Sequence, residues 1–363
     1  MGLVRLFLAW VVAADHWRVH TLAPWSIPID DHYKLGFNAG YAVMFFYVIS
    51  GFLITYTLTR NYDRSLSGTL KFYKNRVIRI FSLYWPLVII CFFVIDIAWR
   101  AFLEASPLDK AISLFLFGMD WRVWAANEFA FPVDVTIQGL GQAWTLGAEL
   151  TFYLMAPLLL RSWKIGALLM VASLATRMAL VLALGTDLDA IWTYTFFPST
   201  ICFFLFGHLV CLASQRWNIL KMPLLGAVLL ACSIAAMTFG SYQGFDSPRF
   251  WSSILCFTIA LPGVFEATKK IDWMNATGDL SYPVYLVHMI VLLTVGPWLV
   301  SVSLPLDLMP KAEAGWVSIV VFLGVTTAAA AVVHKLVEVP VARAMHRVAD
   351  SLPRAKAAKA EAD

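Results

Sequence analysis

The stretch RLFLAWVVAADHWRVH, residues 5–20, carries groups that could do chemistry inside an apolar segment. Arg5 and His16 are eleven residues apart, which in an α-helix is about three turns with about 20° left over and a rise of about 16 Å. They therefore share one helix face at two depths. An imidazole that faces a cavity can transfer protons near neutral pH. Alternatively, Asp15, His16 and Arg18 only mark an early exit of the helix from the membrane, with Asp15 and Arg18 pairing three residues apart.

A second group of polar residues lies in FYKNRVIRIFSLYWP, residues 72–86. Arg76 and Arg79 are one helical turn apart, and two guanidinium groups on one face suit a phosphate, which arginine binds through paired hydrogen bonds. Basic residues also occur at cytoplasmic helix ends for topology alone. The sequence leaves both interpretations open.

Two further stretches place polar groups within apolar helices. Glu149 lies in QAWTLGAELTFYLMAP, where a carboxylate needs a partner or water; it could orient a His or Arg, or join two helices. In GDLSYPVYLVH, Ser281, Tyr285 and His288 fall at i, i+4 and i+7 and form one polar stripe. Such a stripe lines a cavity or bonds across helices. Ser50, beside Gly51 in FFYVISGFLITY, is predicted to serve close helix packing.

Hydropathy predicts the elements that must hold these groups. The chain of 363 residues is 60% hydrophobic and 14% charged, with a mean hydropathy of +0.74, which indicates an integral membrane protein. Apolar segments of about 20 residues favour an all-α polytopic helical bundle over a barrel. Ten transmembrane helices are predicted at about residues 3–23, 37–58, 80–99, 142–160, 163–184, 192–213, 222–241, 250–267, 280–300 and 315–337.

The distribution of basic residues predicts the orientation. Nineteen of the 27 Lys and Arg lie in the termini and connections of one side, against seven opposite and Arg177 within a span. The positive-inside rule then places both termini in the cytoplasm. An interfacial helix is expected within residues 100–141. Residues 1–345 are predicted to form one transmembrane domain, and residues 346–363 a short, charged, disordered cytoplasmic tail.

Cysteine usage and net charge exclude several other classes. The five cysteines lie in or beside apolar segments and form no CxxC pair, so no disulfide framework, zinc site or other metal is expected. The net charge of +4 does not indicate nucleic acid as a partner.

Taken in order, these stretches resemble the acyltransferase family 3 of bacterial membrane proteins, in the form without a fused extracytoplasmic domain. The first helix of that family carries an Arg, ten residues and then a His, as Arg5 and His16 do here. Many relatives have Pro at the position of Ser82 and an Asp-Gly pair before the first Arg, and this chain lacks both. The other matching positions are Phe45–Leu53; Arg76, Arg79 and Ile80; Trp144, Leu146 and Glu149; Gly278, Ser281, Tyr282, Tyr285, Leu286 and His288; and Glu338 and Pro340.

The resemblance implies transfer of an acyl group, commonly acetyl, from cytoplasmic acyl-CoA to a hydroxyl of an extracytoplasmic or lipid-linked glycan in the bacterial inner membrane. Its implied catalytic residues are His16 as general base, Arg5 steering the CoA arm, and Glu149. Arg76 and Arg79 would hold the CoA phosphates. The remaining predicted positions, which would bind the acceptor or orient His16, are Ser281, Tyr285 and His288.

A different class of function, a polytopic transporter or exporter of a glycolipid or small metabolite, also fits ten spans with polar residues near the midplane. The sequence shows no evident internal repeat and no paired Pro/Gly-broken helices, which weighs against a transporter. Under either function the lipid bilayer is a partner, and a homo-oligomer is compatible with the sequence.

Overall fold

The computed structural model of the chain describes residues 1–22, 39–95, 140–184, 190–238, 246–303 and 311–351, with the isolated Leu103 and Pro107. The secondary structure of these residues is helical, without a strand. Its α-helices are α1 Gly2–Trp17, α2 Ala39–Asn61, α3 Leu66–Val94, α4 Trp144–Leu159, α5 Trp163–Leu184, α6 Phe197–Arg216, α7 Pro223–Thr238, α8 Pro248–Thr268, α9 Asp272–Asp279, α10 Ser281–Thr294, α11 Gly296–Ser303, α12 Lys311–Val333 and α13 Val339–Ser351.

The predicted all-α membrane bundle is confirmed. Each of the ten predicted spans overlaps one of these helices, and seven helical segments of the described residues are long and apolar enough to cross a bilayer. The protein is therefore a multi-pass membrane protein. The number of ten spans and the cytoplasmic location of both termini stay predictions. The interfacial helix expected within residues 100–141 falls almost entirely outside the described residues.

Helix α3 begins fourteen residues before the predicted start of the third span, at Leu66. The side chain of Ser65 accepts a hydrogen bond of 3.0 Å from the backbone N–H of Gly68 and caps the helix. Arg76 and Arg79 consequently lie within the helix, about three turns from its start, and not at its first turn. The hydropathy window detected only the apolar part of this longer helix.

The last described segment, residues 311–351, is continuously helical, and a π-helical turn, His334–Glu338, joins α12 to α13. At about 1.5 Å per residue the helical path is roughly 60 Å long, twice the hydrocarbon thickness of a bilayer. Outside the apolar part, Lys74 of α3 and Asp350 of α13 form an ion pair of 2.6 Å. Residues 346–351 are thus helical, while the rest of the predicted tail lies outside the described residues.

Helix α1 lies against α2, α9, α10 and α12. It runs parallel to α10, since Gly2 approaches Gly278 at one end and His16 meets His288 at the other. It runs antiparallel to α12, where the fully buried Trp17 donates to Ser318 Oγ at 3.1 Å. This arrangement buries α1, the helix that carries two of the predicted catalytic residues, in the middle of the bundle.

Helices α2 and α6 pack closely through glycine. A Cβ atom added at Gly51 would collide with the backbone of Phe204, and one added at Gly207 would collide with the backbone of Val48. The two helix backbones are therefore in direct contact, which in lipid allows van der Waals packing that larger residues would prevent.

Arg177, which lies inside the predicted fifth span, is buried, and its Nε and one terminal nitrogen have hydrogen-bond partners. It pairs with Asp246 just before α8 at 2.5 Å and donates to the carbonyl oxygen of Thr193 at 2.5 Å. The rings of Phe203 and Phe250 lie 5.2 and 5.7 Å from its guanidinium carbon. A buried charge of this kind needs such partners, so Arg177 joins α5 to α6 and α8.

Candidate active site

A cavity of about 150 Å³ opens between α1, α2, α3, α4 and α10. We call it the arginine cavity. Three arginines and one carboxylate line it, together with hydroxyl groups and an apolar wall. Its polar lining residues are Arg5, Arg76, Arg79, Glu149, Ser50, Thr145, Tyr47, Tyr153, Ser281, Tyr282 and Tyr285. Six of the eight predicted site residues therefore meet at one cavity, although they come from four helices distant in sequence.

Glu149 is held by two hydroxyl groups. Its Oε1 atom accepts a hydrogen bond from Ser50 Oγ at 2.8 Å and another from the hydroxyl of Tyr153, one turn later in α4. These bonds satisfy a carboxylate that would otherwise be costly in the membrane. Glu149 contacts these hydroxyls and not His16, so the structure places it with the arginines.

Arg79 is already paired within the protein. One of its terminal nitrogens lies 3.1 Å from Oε1 of Glu338, and its guanidinium lies 5.6 Å from the ring of Tyr282. The other Glu338 oxygen is 2.7 Å from Nδ1 of His334. The π-helical turn brings His334 and Glu338 to this position, and π-helical turns are frequent at functional sites.

Arg76 contrasts with Arg79. Its guanidinium lies 5.6 Å from the ring of Phe72 and 5.7 Å from that of Tyr153. Its Nε atom is buried and has no hydrogen-bond partner among the described residues. A buried donor without a partner is costly, so Arg76 has hydrogen-bonding capacity left for a ligand.

His16 lies outside the lining of the arginine cavity and meets His288. The Nδ1 atom of His16 is 2.8 Å from Nε2 of His288, and the two ring planes are 19° from parallel with centroids 5.0 Å apart. His288 is fully buried, and the ring of His20 lies 6.1 Å from that of His16. We call His16 and His288 the histidine pair.

Tyr285 lies between the arginine cavity and the histidine pair. Its ring is 5.9 Å from that of His288, while its hydroxyl is 2.8 Å from Thr145 Oγ1 and donates to the carbonyl oxygen of Gln142 at 3.1 Å. The three residues of the predicted polar stripe on α10 therefore lie at two different places, the arginine cavity and the histidine pair. Ser281 and Tyr285 line the cavity, and His288, one turn further, contacts His16.

Two residues of the site, Ser50 and Tyr153, were not predicted from the sequence. Ser50 was predicted to serve packing, but it donates to Glu149. Tyr153, which lies one turn after Glu149, completes the hold on that carboxylate. The i, i+4 spacing of Glu149 and Tyr153 was a usable signal. No sequence signal linked Ser50 to Glu149, because 99 residues separate them.

The described residues contain no group of three or more His, Cys, Asp or Glu side chains arranged to hold a metal ion. The side chains available in the site are bases, hydroxyls and guanidinium groups. This set suits binding of anionic groups together with proton transfer.

Comparison with known proteins agrees with this chemistry. The family model Acyl_transf_3, described as an acyltransferase domain, matches residues 1–335. The chain is also similar to Nodulation protein 10 of Rhizobium leguminosarum bv. viciae, with 29% identity and a match that covers 86% of this chain and 90% of that protein. No solved structure matches the chain. A family match that extends over both the arginine cavity and the histidine pair shows that the chain belongs to the Acyl_transf_3 family and is a membrane acyltransferase.

Proposed function

We propose that the protein moves an acetyl group from cytoplasmic acetyl-CoA to a hydroxyl of an extracytoplasmic or lipid-linked glycan, in the inner membrane of a bacterium. The observation that carries this proposal is the order of the two sites along α1 and α10. Arg5 and Ser281 lie at the arginine cavity, and His16 and His288 lie further along the same two parallel helices. An anion site and a proton-transfer site are thus arranged in sequence across the bundle.

The arginine cavity would hold the donor. CoA carries several phosphate groups, and guanidinium groups bind phosphate through paired, charge-assisted hydrogen bonds. The three arginines outnumber the single cavity carboxylate, Glu149, which leaves the cavity positive. Arg76 and Arg79 would contact phosphate. Arg5 would steer the pantetheine arm toward the histidine pair, and Glu149 would fix the arginines in place.

His16 would act as the general base. The acceptor oxygen attacks the thioester carbonyl carbon while His16 takes the hydroxyl proton. The carbon–sulfur bond then breaks, and the proton passes to the thiolate of CoA, which leaves as the free thiol. The acceptor is left as an O-acetyl ester. Tyr285, whose ring lies 5.9 Å from that of His288, and Ser281, one turn earlier in α10, would position the reactants.

Purified protein in vesicles supplied with labelled acetyl-CoA tests the proposal. We expect transfer of label to a glycan acceptor and a loss of about 10²–10⁴-fold in rate for His16→Ala, the range of a general base. Protein level and thermal unfolding in detergent control for folding. Normal acylation by His16→Ala would contradict its role as the base. Movement of an acceptor without acylation would instead support the transporter.

The acceptor can be found by comparing the glycans of cells with and without the protein. We expect the mass of one acetyl group to be lost at each modified site. A different mass loss would assign a different acyl group, and unchanged glycans would contradict a glycan acceptor.

A further inference from the structure

The histidine pair has a hydrogen-bond geometry that restricts how its protons can be arranged. His16 Nδ1 and His288 Nε2 are 2.8 Å apart, and His288 is fully buried. Two neutral imidazoles joined by one hydrogen bond must consist of one donor and one acceptor. Either His16 donates from Nδ1, or His288 donates from Nε2. In the first arrangement His16 Nε2 carries no proton and can act as a base. In the second arrangement His16 Nε2 carries the proton and cannot accept another.

The surroundings of the other nitrogen of His288 decide between them. Its Nδ1 atom is buried and makes no hydrogen bond of ordinary geometry to a described residue. The backbone carbonyls of Val284 and Tyr285, one turn earlier in α10, interact with the His288 ring. Because Nε2 faces His16, the ring nitrogen on the side of these carbonyls is Nδ1. A proton on Nδ1 is attracted to these oxygens, whereas a bare lone pair would be repelled by them. His288 therefore keeps its proton on Nδ1, and its Nε2 atom accepts from His16 Nδ1–H.

We propose that His288 is a positioning residue that accepts a hydrogen bond from His16 and fixes His16 in the tautomer with an unprotonated Nε2. This inference rests on the proposed role of His16 as general base. His288 would thus do for His16 what a carboxylate does in a catalytic triad, by selecting the tautomer and the ring orientation. This hydrogen bond joins two rings whose planes are 19° from parallel, and it restricts rotation of the His16 ring.

The position of His20 agrees with this assignment. Its ring is in an edge-on arrangement with that of His16, with centroids 6.1 Å apart, too far for a direct hydrogen bond of the kind that His288 makes. Among the described residues His288 is thus the imidazole that can set the proton position on His16.

A matched pair of substitutions tests the proposal. His288→Gln places an amide oxygen at about the distance of the lost Nε2 and can still accept from His16, whereas His288→Met has a similar length without a strong acceptor. We expect His288→Met to lower kcat for acetyl transfer about 100-fold or more with an unchanged KM for acetyl-CoA. His288→Gln should recover activity to within about tenfold of the original protein. Thermal unfolding in detergent should be similar for the two variants.

A double substitution provides the second measurement. Residues that act as one unit are not additive, so His16→Ala combined with His288→Met should be no slower than His16→Ala by itself. Equal kcat values for the Gln and Met variants, or full activity of His288→Met, would overturn the positioning role. If His16→Ala is slow while His288→Met is fast, only this inference fails. If His16→Ala is fully active, the proposed base fails as well.

Discussion

At the scale of single residues, the arginines of the arginine cavity differ in how far their charges are already satisfied. Arg79 is paired with the buried Glu338, while the buried Nε of Arg76 has no partner among the described residues. Their spacing of one turn made them equivalent in the sequence. The structure separates them, because Arg79 forms an ion pair with Glu338 and Arg76 forms none with a described residue.

This difference leads to a prediction about the donor. Arg76→Ala should raise the KM for acetyl-CoA more than Arg79→Ala, because Arg76 has more hydrogen-bonding capacity left for phosphate. A lost hydrogen bond to a charged group costs about 1.5–3 kcal/mol, which corresponds to roughly 10–100-fold in KM. Steady-state kinetics with acetyl-CoA as the varied substrate measures this effect.

Lys74→Ala is the matched control, since Lys74 lies on the same helix but pairs with the exposed Asp350 away from the cavity. Its KM for acetyl-CoA should stay within about twofold of the original value, as expected for an exposed ion pair. An unchanged KM for acetyl-CoA in Arg76→Ala would contradict donor binding by Arg76 and leave it a role only in membrane orientation.

At the scale of elements, the close approach of α2 and α6 determines where part of the site lies. Ser50 lies on α2 next to Gly51, whose missing side chain lets the backbone of α6 come near. Ser50 then reaches Glu149 of α4 from this fixed helix at 2.8 Å. Small residues at a membrane helix interface thus have an indirect effect on the hydrogen bonds of the cavity.

Gly51→Ala should therefore destabilise the protein and disturb the cavity. The added Cβ would meet the backbone of Phe204, which cannot move aside as a flexible side chain can. The expected cost is about 1–3 kcal/mol, as for an overpacked core. A lower unfolding temperature in detergent, with reduced activity, would show it.

Gly324→Ala of α12 provides the comparison, because nothing lies within 4 Å of the added Cβ. It should be neutral or stabilising by up to about 1 kcal/mol, since alanine favours a helix over glycine. Equal unfolding temperatures for the Gly51 and Gly324 variants would contradict direct backbone packing of α2 on α6.

At the scale of the whole molecule, the helix directions relate the site to the two faces of the membrane. Arg5 lies near the start of α1, and the parallel α10 starts on the same side, after the basic pair Lys269 and Lys270 and the short helix α9. His16 lies near the far end of α1. If the basic side faces the cytoplasm, as the positive-inside rule predicts, the arginine cavity would be nearer the cytoplasm and the histidine pair nearer the opposite face.

The orientation is directly testable. A reporter that is active only in the cytoplasm, fused after Asp363, should be active, and a reporter that is active only outside the cytoplasm should be inactive there. Insertion of the second reporter within residues 100–141 should give the reverse result. A C-terminal reporter active outside the cytoplasm would place the arginine cavity on the side where acetyl-CoA is absent and would contradict the proposed direction of transfer.

Local composition and residue spacing were enough to predict several properties of this protein. Hydropathy gave the helical membrane class, and helix periodicity placed Arg5 with His16 on one face. The ordered motifs indicated the family that the comparison then showed. Such inferences succeed because the period of a helix and the cost of polar groups in lipid are local properties.

Which of these polar groups contact one another depends on how the helices pack, and residue spacing did not predict it. The sequence suggested that Glu149 orients a His or Arg or joins two helices, and packing sets it between Ser50 of α2 and Tyr153 of its own helix. His288, 272 residues from His16, becomes its hydrogen-bond partner because α1 and α10 run parallel and in contact. Contacts between helices that are distant in sequence depend on where small residues let the helices come close. The spacing of residues along the chain does not predict which helices pack together.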